Sequence, residues 1–199
     1  MVGSVFVASV LLAAGGGSRF KAAGTLPGHK LLQRGLDGRT VVEHAYEAMH
    51  RGTELHQLRL VVSGAIDLPE LPMAQTVHNA RWAEGQSSSV WAALSVAEQM
   101  DADAVVIGLG DQPGIDPGAW SSIRTALRDG AQIAVATYGG KRSNPVGLAR
   151  AVWPLLPKDA DEGARTVMRL HPLLVTEVAC PGNPNDIDSP EDLQQWHLS

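Results

Sequence analysis

A glycine-rich loop near the start of the chain carries the clearest chemical signal. A near-continuous apolar run, residues 5–14, ends in residues 15–19 (GGGSR), and Lys30 follows further on. Because glycine has no Cβ, three in succession let the main chain close on a ligand. Their N–H groups can converge on phosphate oxygens, and Arg19 and Lys30 add positive charge. The pattern predicts a buried strand that opens into a loop holding a nucleoside triphosphate.

Two better-known phosphate loops do not match this spacing. A dinucleotide-binding fingerprint needs G-x-G-x-x-G, but Phe20 stands where the third glycine belongs. A Walker A loop ends in Gly-Lys-Ser/Thr, and neither Lys21 nor Lys30 lies in such a triplet. On glycine content alone, a flexible turn after a core strand is an open alternative, since glycine is the usual turn residue.

A carboxylate is expected at the same edge of the sheet. Asp111 follows the apolar run 104–109, and ligands of open parallel sheets bind beyond the carboxyl ends of the strands. A carboxylate among phosphates requires a cation between them, and Mg²⁺ is the one that carboxylates and phosphates hold together. The alternative is that Asp111 is only a turn residue before Gln112 and Pro113.

A second acidic group lies near the end of the chain, at residues 186–192 (DIDSPED). If Ile187 faces the core, Asp186 and Asp188 project to the same opposite side. Glu191 and Asp192 are explained by an acidic helix start, which is favourable for the helix dipole.

Strand and helix patterns alternate between these groups. Such alternation predicts a mainly parallel sheet covered by helices on both faces, so that residues 1–199 form one Rossmann-like three-layer α/β domain. The predicted strands after the first are 58–62, 73–77, 104–109, 132–137, 145–148 and 173–178. The predicted helices begin after Thr40 and after Ser189 and cover 87–100, 118–128, 152–156 and 164–170.

Composition and charge argue against several other classes of protein. A net charge of −5 over 199 residues argues against sequence-independent nucleic-acid binding. No apolar stretch approaches the ~20 residues of a membrane span, and the N-terminal run lacks the basic start of a signal peptide. Cys180 is the single cysteine, so no internal disulfide can form, as suits a reducing compartment. We expect a soluble cytoplasmic protein.

The combined motifs resemble the MobA-like nucleotidyltransferases, and within them the molybdenum cofactor cytidylyltransferase branch. Residues 12–19 (LAAGGGSR) followed by 30–32 (KLL) resemble the family's triphosphate loop. Ten residues lie between Arg19 and Lys30, more than the family usually has, so Lys21 is a competing phosphate lysine. The resemblance assigns nucleotide binding to Leu12, Ala13, Ala14, Gly15, Gly16, Gly17, Ser18, Arg19, Lys30, Asn79, Gly85, Ser88 and Asp111.

The later motifs match in the same order. Residues 110–113 (GDQP) resemble the family's metal-binding aspartate motif, and residues 186–192 resemble its terminal motif with serine replacing threonine. The implied Mg²⁺ ligands are Asp111 with Asp186 or Asp188, of which Asp186 is favoured. The implied acceptor-binding residues are Gln112, Pro113, Asn144, Pro145 and Arg165.

Two of these segments have simpler interpretations. The segment with Asn79, Trp82 and Gly85 resembles one that approaches the base and ribose, but a helix start capped by Ser87 would explain its serines. Arg165 fits an acceptor phosphate, and a surface ion pair with Asp161 fits its charge spacing equally well.

The resemblance implies a GT-A-like nucleotidyltransferase fold and a Mg²⁺-dependent transfer. CTP would give CMP to the phosphate of molybdopterin, with Arg19, Lys30 and Asp111 as the catalytic set and a molybdenum hydroxylase as a partner downstream. Residues 13–15 (AAG) resemble the cytidylyl branch. The alternatives are a guanylyl- or sugar-phosphate nucleotidyltransferase, or a non-enzymatic nucleotide- or cofactor-binding partner of a molybdenum enzyme.

Overall fold

A computed structural model describes residues 5–23, 27–158 and 164–198, without the side chains of Lys21 and Ala23. The strands are β1 Val7–Leu12, β2 Arg59–Ser63, β3 Gln75–His78, β4 Ala104–Leu109, β5 Ile133–Tyr138, β6 Lys141–Ala149 and β7 Val175–Ala179. The helices are α1 Ser18–Ala23, α2 Val41–Arg51, α3 Gln86–Gln99, α4 Pro117–Arg128, α5 Ala164–Leu170 and α6 Pro190–His197. Short 3₁₀ turns lie at Lys30–Leu32, Trp82–Glu84, Arg150–Leu155 and Pro172–Leu174.

The seven strands form one sheet in the order β3-β2-β1-β4-β6-β5-β7. All pairings are parallel except those of β6, which runs antiparallel to both β4 and β5. Gly139 and Gly140, at φ +57° and +79°, make the tight hairpin that reverses the chain between β5 and β6. The predicted mainly parallel α/β sheet is therefore confirmed, with one antiparallel strand inserted into it.

Two apolar cores cover the two faces of the sheet. Side chains of β1 alternate between them: Val7 and Leu11 belong to one core, and Ala8 and Val10 to the other. Helices α2, α4 and α6 close the first core, and α3 and α5 close the second. The molecule thus has the three layers that the alternating pattern predicts.

The neighbouring strands β1 and β4 end at the same edge. Their parallel register pairs Val7 with Ala104 and Leu12 with Leu109. The Gly110 N–H then donates to the Leu12 carbonyl over 2.8 Å. A Cβ at Gly110 would come within 3.1 Å of Ala13, so glycine permits the close approach of the two segments. This register places the glycine loop beside Asp111.

Several local predictions are corrected. Gly85, not Ser87, is the cap residue of α3, and Ser87 is buried in its first turn. The strand predicted at 145–148 extends over Lys141–Ala149, and the helix predicted at 152–156 is the 3₁₀ turn Arg150–Leu155. Helix α1, directly after the glycine loop, was not predicted. Within the described part of the chain, no helix is long and apolar enough to cross a membrane.

Candidate functional site

The glycine loop is packed between two side chains. Gly17 has φ +63°, a left-handed conformation that glycine adopts without strain. A Cβ at Gly17 would lie 2.9 Å from His29 Nε2, and one at Gly16 would lie 3.0 Å from the Trp82 ring. Around Gly15 the space is open, with nothing within 4 Å of an added Cβ. Glycine is therefore required by geometry at Gly17 and by close packing at Gly16.

We expect Gly17→Ala to lower the free energy of unfolding by about 1–2 kcal/mol, because alanine is strained in the left-handed region. The contact with His29 adds to that cost. Gly15→Ala is the matched control, since its Cβ meets nothing, and its unfolding free energy should change by less than about 0.5 kcal/mol. Urea unfolding of the two variants measures the difference. Equal stability would contradict the described loop geometry.

Four charged residues from three distant parts of the chain meet at this edge. The Lys30 ammonium donates to Asp111 Oδ2 over 2.6 Å and to Asp188 Oδ1 over 2.7 Å. Arg19 Nη1 donates to Asp188 Oδ2 over 2.8 Å. The Lys30 side chain is only 12% exposed, whereas that of Arg19 is 82% exposed. Lys30 is thus the inner cation of the cluster, and Arg19 lies at its solvent-facing side.

The C-terminal segment is held against the loop that follows β4. Ile187 is 2% exposed, and its N–H donates to the Asp111 carbonyl over 2.9 Å. Gln112 Nε2 donates to the Pro184 carbonyl over 2.8 Å. The Asp192 carboxylate accepts from the Asp188 N–H and, in the capping box of α6, from the N–H of the cap residue Ser189. These contacts fix Asp188 beside Asp111, with Ile187 in the core as the sequence pattern predicts.

Burial and charge act in opposite directions on the ionisable groups of the cluster. Desolvation is the largest influence on the pKa of Lys30 and lowers it, but the hydrogen bonds and charges of Asp111 and Asp188 leave that pKa raised overall. Desolvation also opposes ionisation of Asp188, yet the hydrogen bonds and charges of Lys30 and Arg19 leave its pKa lowered. The pKa of Asp186 is raised, first by desolvation of its carboxyl group and then by the charges of Asp111 and Asp188.

These shifts predict the order in which the two terminal carboxylates titrate. As pH falls from neutrality, Asp186 should bind a proton first because its pKa is raised, and Asp188 should do so at lower pH because its pKa is lowered. Carbon-13 NMR of the carboxyl groups measures both. In Lys30→Met the pKa of Asp188 should rise, since the variant lacks its main stabilising donor. Protonation of Asp188 before Asp186 in the unaltered protein would contradict the ion pairing described.

The carboxylates have the chemistry of a divalent-cation site. Asp111 Oδ2 accepts from Lys30, whereas Oδ1 is buried and has no hydrogen-bond partner. Such an oxygen fits a metal ligand, and Mg²⁺ needs only one or two carboxylates when phosphates supply further oxygens. Among the described residues, no group of three His, Cys, Asp or Glu side chains is arranged to hold a metal by itself. In the described structure the charge between Asp111 and Asp188 is that of Lys30.

The residues predicted near the base and ribose mostly bond to one another. The buried Asn79 amide donates to the hydroxyls of Ser88 and Ser89 over 2.8 and 3.0 Å. The Ser88 hydroxyl donates to the Gly85 carbonyl over 2.8 Å. These bonds support the turn that presents Trp82 to the glycine loop. Trp82 therefore lies in the site, and Asn79 and Ser88 support it from behind.

A cavity of about 350 Å³ opens beside the glycine loop. Its lining includes Ala14, Gly15 and Gly16 of the glycine loop, Trp82 and Gly85 of the segment before α3, and Asp111. The cavity thus brings together predicted nucleotide-binding residues from three segments. Trp82 supplies an aromatic surface there, and Asp111 a carboxylate.

A neighbouring cavity of about 440 Å³ shares the wall residues Leu12, Gln86 and Leu109 with the first. Asn144 lies in its lining, and its amide donates to Gln112 Oε1 over 3.0 Å. Its apolar lining includes Ile107 and Met168. Three predicted acceptor residues, Gln112, Pro113 and Pro145, do not line this cavity. Gln112 is buried, Pro113 is half-buried, and Pro145 follows Asn144 across a cis peptide bond.

Three arginines line this second cavity, of which only Arg165 was predicted. Arg142 stands two positions before Asn144 on β6, and Arg169 stands four positions after Arg165 on α5. Residues two apart on a strand lie on one face, as do residues four apart on a helix. Both additional arginines could therefore have been predicted from the sequence. Arg142 also pairs with Glu177 over 2.7 Å. The alternative partner of Arg165, Asp161, lies outside the described residues, as does the side chain of Lys21.

The sheet, the glycine loop at its edge and the Lys–Asp cluster together define an α/β protein of the NTP-transferase class. The chain belongs to the MobA-like NTP transferase domain family, whose model matches residues 9–176. The resemblance to the MobA-like family drawn from the motifs is therefore confirmed.

Two curated relatives share part of their length with this chain. The bifunctional protein GlmU of Bartonella bacilliformis is 30% identical over 148 residues, which is 72% of this chain and 31% of GlmU. The purine catabolism protein PucB of Bacillus subtilis is 30% identical over 113 residues, or 55% of this chain and 54% of PucB. The chain thus spans from about a third to about half of the relatives that it matches.

Solved structures share the fold. Rv0371c of Mycobacterium tuberculosis superposes with a TM-score of 0.77 at 24% identity, covering 98% of this chain and 100% of that one. Rv0371c has also been solved in complex with manganese. CMP:2-keto-3-deoxy-manno-octonic acid synthetase complexed with CTP superposes with a TM-score of 0.64 at 17% identity, covering 97% of each chain. At these identities the likeness shows the fold.

Proposed function

We propose that this protein is a metal-dependent nucleotidyltransferase that moves CMP from CTP onto the phosphate of molybdopterin or the molybdenum cofactor and releases pyrophosphate. Residues 1–199 act as one cytoplasmic nucleotidyltransferase domain, and a molybdenum hydroxylase would use the product. One observation carries the proposal. The glycine loop and Asp111, which accepts a hydrogen bond from Lys30, line one cavity, and a second cavity shares the wall residues Leu12, Gln86 and Leu109 with it, so two substrates could meet across that wall.

The chain's own residues would bind, orient and neutralise. The glycine loop would hold the triphosphate with its N–H groups, and Lys30 and Arg19 would offset its charge. Asp111, with Asp186 or Asp188, would hold Mg²⁺, which when bound neutralises phosphate oxygens. The buried, unpartnered Oδ1 of Asp111 supports its place as the principal ligand. No covalent nucleophile is needed, because alignment of the two phosphates supplies much of the rate.

The second cavity suits an anionic acceptor with a large apolar surface. Arg142, Arg165 and Arg169 offer guanidinium groups to a phosphate, and Asn144 offers an amide at the side nearest Gln112. Asn144 connects through Gln112 to the C-terminal segment that carries the carboxylates. The acceptor phosphate would therefore approach the nucleotide from the side of β6 and α5.

The choice of CTP rests on sequence and on fold neighbours. Residues 13–15 (AAG) resemble the cytidylyl branch, and the neighbouring synthetase was solved with CTP. The choice of Mg²⁺ rests on the oxygen ligands, and manganese in Rv0371c supports a divalent ion in this fold.

Pyrophosphate release tests the proposal. The protein is incubated with Mg²⁺, one of CTP, GTP, ATP or UTP, and either molybdenum-loaded molybdopterin or a sugar phosphate as the acceptor. Selective release with CTP is the expected result. Release with GTP alone would overturn the base assignment and keep the mechanism. Release only with a sugar phosphate as acceptor would overturn the cofactor substrate, and nucleotide binding without release under any condition would favour a non-enzymatic partner of a molybdenum enzyme.

A further inference from the structure

We propose that His29 is a positioning residue of the triphosphate site: its imidazole locks the glycine loop and the Lys30 turn into one fixed arrangement. The inference rests on the proposed function, because it assigns the role of His29 within the same nucleotide site. His29 carried no motif signal in the sequence. Its contacts with the glycine loop and with the Lys30 turn identify it.

The hydrogen bonds of His29 define which ring nitrogen carries the proton. The Leu31 N–H donates to His29 Nδ1 over 3.2 Å, so Nδ1 is an acceptor without a hydrogen. In the neutral ring the hydrogen is then on Nε2, which lies 2.9 Å from the Gly15 carbonyl oxygen and donates to it. The residue is 4% exposed, so water does not compete for these bonds.

The glycine loop sits directly on the imidazole. Gly17 approaches so closely that a Cβ would lie 2.9 Å from Nε2. The Gly15 carbonyl points at the same ring. In a trans peptide the carbonyl and the next N–H point in opposite directions, so the Gly16 N–H faces away from His29. The hydrogen bond from His29 therefore keeps the Gly15 carbonyl turned towards the imidazole. The Gly16 N–H points the opposite way, where it can donate to a phosphate.

The same imidazole also fixes the turn that carries Lys30. His29 is the cap residue of the 3₁₀ turn that begins at Lys30, and its side chain accepts the Leu31 N–H of that turn. Lys30 in turn reaches Asp111 and Asp188. The imidazole therefore contacts the glycine loop through Gly15 and the Lys30 turn through Leu31. Order that is present before the nucleotide arrives lowers the cost of binding, which is where affinity is gained.

Three substitutions separate positioning from core filling. His29→Gln places an amide near the position of Nε2 and keeps a donor for the Gly15 carbonyl. His29→Asn keeps a polar group near the position of Nδ1 and loses the donor to Gly15. His29→Phe keeps an aromatic ring and loses the hydrogen bonds to Gly15 and Leu31. Loss of the Gly15 bond, which leaves its carbonyl unpaired, should weaken nucleotide binding about tenfold. We therefore expect His29→Asn and His29→Phe to bind about tenfold more weakly and His29→Gln to stay within about threefold of the unaltered protein.

Isothermal titration with whichever of Mg-CTP, Mg-GTP, Mg-ATP or Mg-UTP the unaltered protein binds best provides the readout. Urea unfolding confirms that each variant is folded, and His56→Gln, on the exposed loop before β2, is the control. In turnover assays the loss should fall on the nucleotide KM, with kcat changed little. If His29→Phe does not fold, the nucleotide affinities of His29→Gln and His29→Asn still test the positioning role.

Two failures remain distinguishable. The positioning role alone would be overturned if His29→Gln, His29→Asn and the unaltered protein bound nucleotide equally well. It would also be overturned if both variants lost affinity equally and in proportion to their loss of stability. If the unaltered protein binds none of the four Mg-nucleotides, the proposed function and this inference fall together.

Discussion

Asp111→Asn should lower pyrophosphate release by about 10³-fold while leaving the fold intact, a loss of the size seen when an electrostatic group is removed from a transition state. The substitution keeps the shape of the side chain and removes its charge. Asp111 Oδ1 is buried without a hydrogen-bond partner, and Oδ2 accepts from Lys30. Asparagine would therefore weaken the proposed metal site and place an amide against an ammonium group.

The control for this variant is Asp67→Asn, an exposed aspartate outside the site. Urea unfolding and circular dichroism establish that both variants are folded, and initial rates of pyrophosphate release compare them. Asp111→Ala should abolish turnover as well, although it also leaves Lys30 short of a partner. Turnover near that of the unaltered protein in a folded Asp111 variant would refute the metal-binding role.

Much of the sheet edge was predictable because short-range pattern and topology agree there. The apolar run of β1 stops at consecutive glycines, and that of β4 stops just before Asp111. Adjacent parallel strands bring their carboxyl ends together, so the two loops had to meet. The burial of Ile187 followed from simple alternation with its charged neighbours.

The direction of β6 was not predictable from its own residues. Apolar periodicity gives the face that a strand buries, but it does not give the direction in which the strand runs. The clue was the Gly139-Gly140 pair, which favours a tight hairpin and therefore an antiparallel neighbour. A residue pattern that identifies a strand can thus leave its pairing open.

The ion pairs within the charged cluster could not be predicted from the sequence either. Lys30 and Asp111 are 81 positions apart, and Lys30 and Asp188 are 158 apart. Pattern reasoning placed the lysine on phosphate and a metal between the carboxylates. The structure places the ammonium itself between them, because unpaired carboxylates at close range repel one another. His29 was missed for a related reason, since its value depends on contacts across fourteen positions.

The position of Lys30 leads to the last prediction: Lys30→Met should bind Mn²⁺ at least about tenfold more tightly than the unaltered protein in the absence of nucleotide, yet turn over about 10²-fold or more slowly. The ammonium lies 2.6 Å from Asp111 Oδ2 and 2.7 Å from Asp188 Oδ1, so its positive charge opposes a divalent ion bound at the neighbouring Asp111 Oδ1. Methionine removes that competing charge, leaving Asp111 without its cation and Asp188 with Arg19 alone. Mn²⁺ should accordingly raise the Tm of Lys30→Met more than that of the unaltered protein, because a ligand stabilises the state that binds it.

Electron paramagnetic resonance of free Mn²⁺ measures the affinity, and the result separates two roles of the lysine. In the unaltered protein, triphosphate would draw Lys30 away from the carboxylates, so adding CTP should tighten Mn²⁺ binding; in Lys30→Met that coupling should largely vanish. Arg19→Met is the matched control, since its 82% exposed side chain contacts only Asp188 of the carboxylate pair and should change Mn²⁺ affinity far less. Lys21→Met should lose less turnover than Lys30→Met. A much larger loss from Lys21, or weaker Mn²⁺ binding by Lys30→Met, would show that Lys30 is not the lysine that links phosphate to metal.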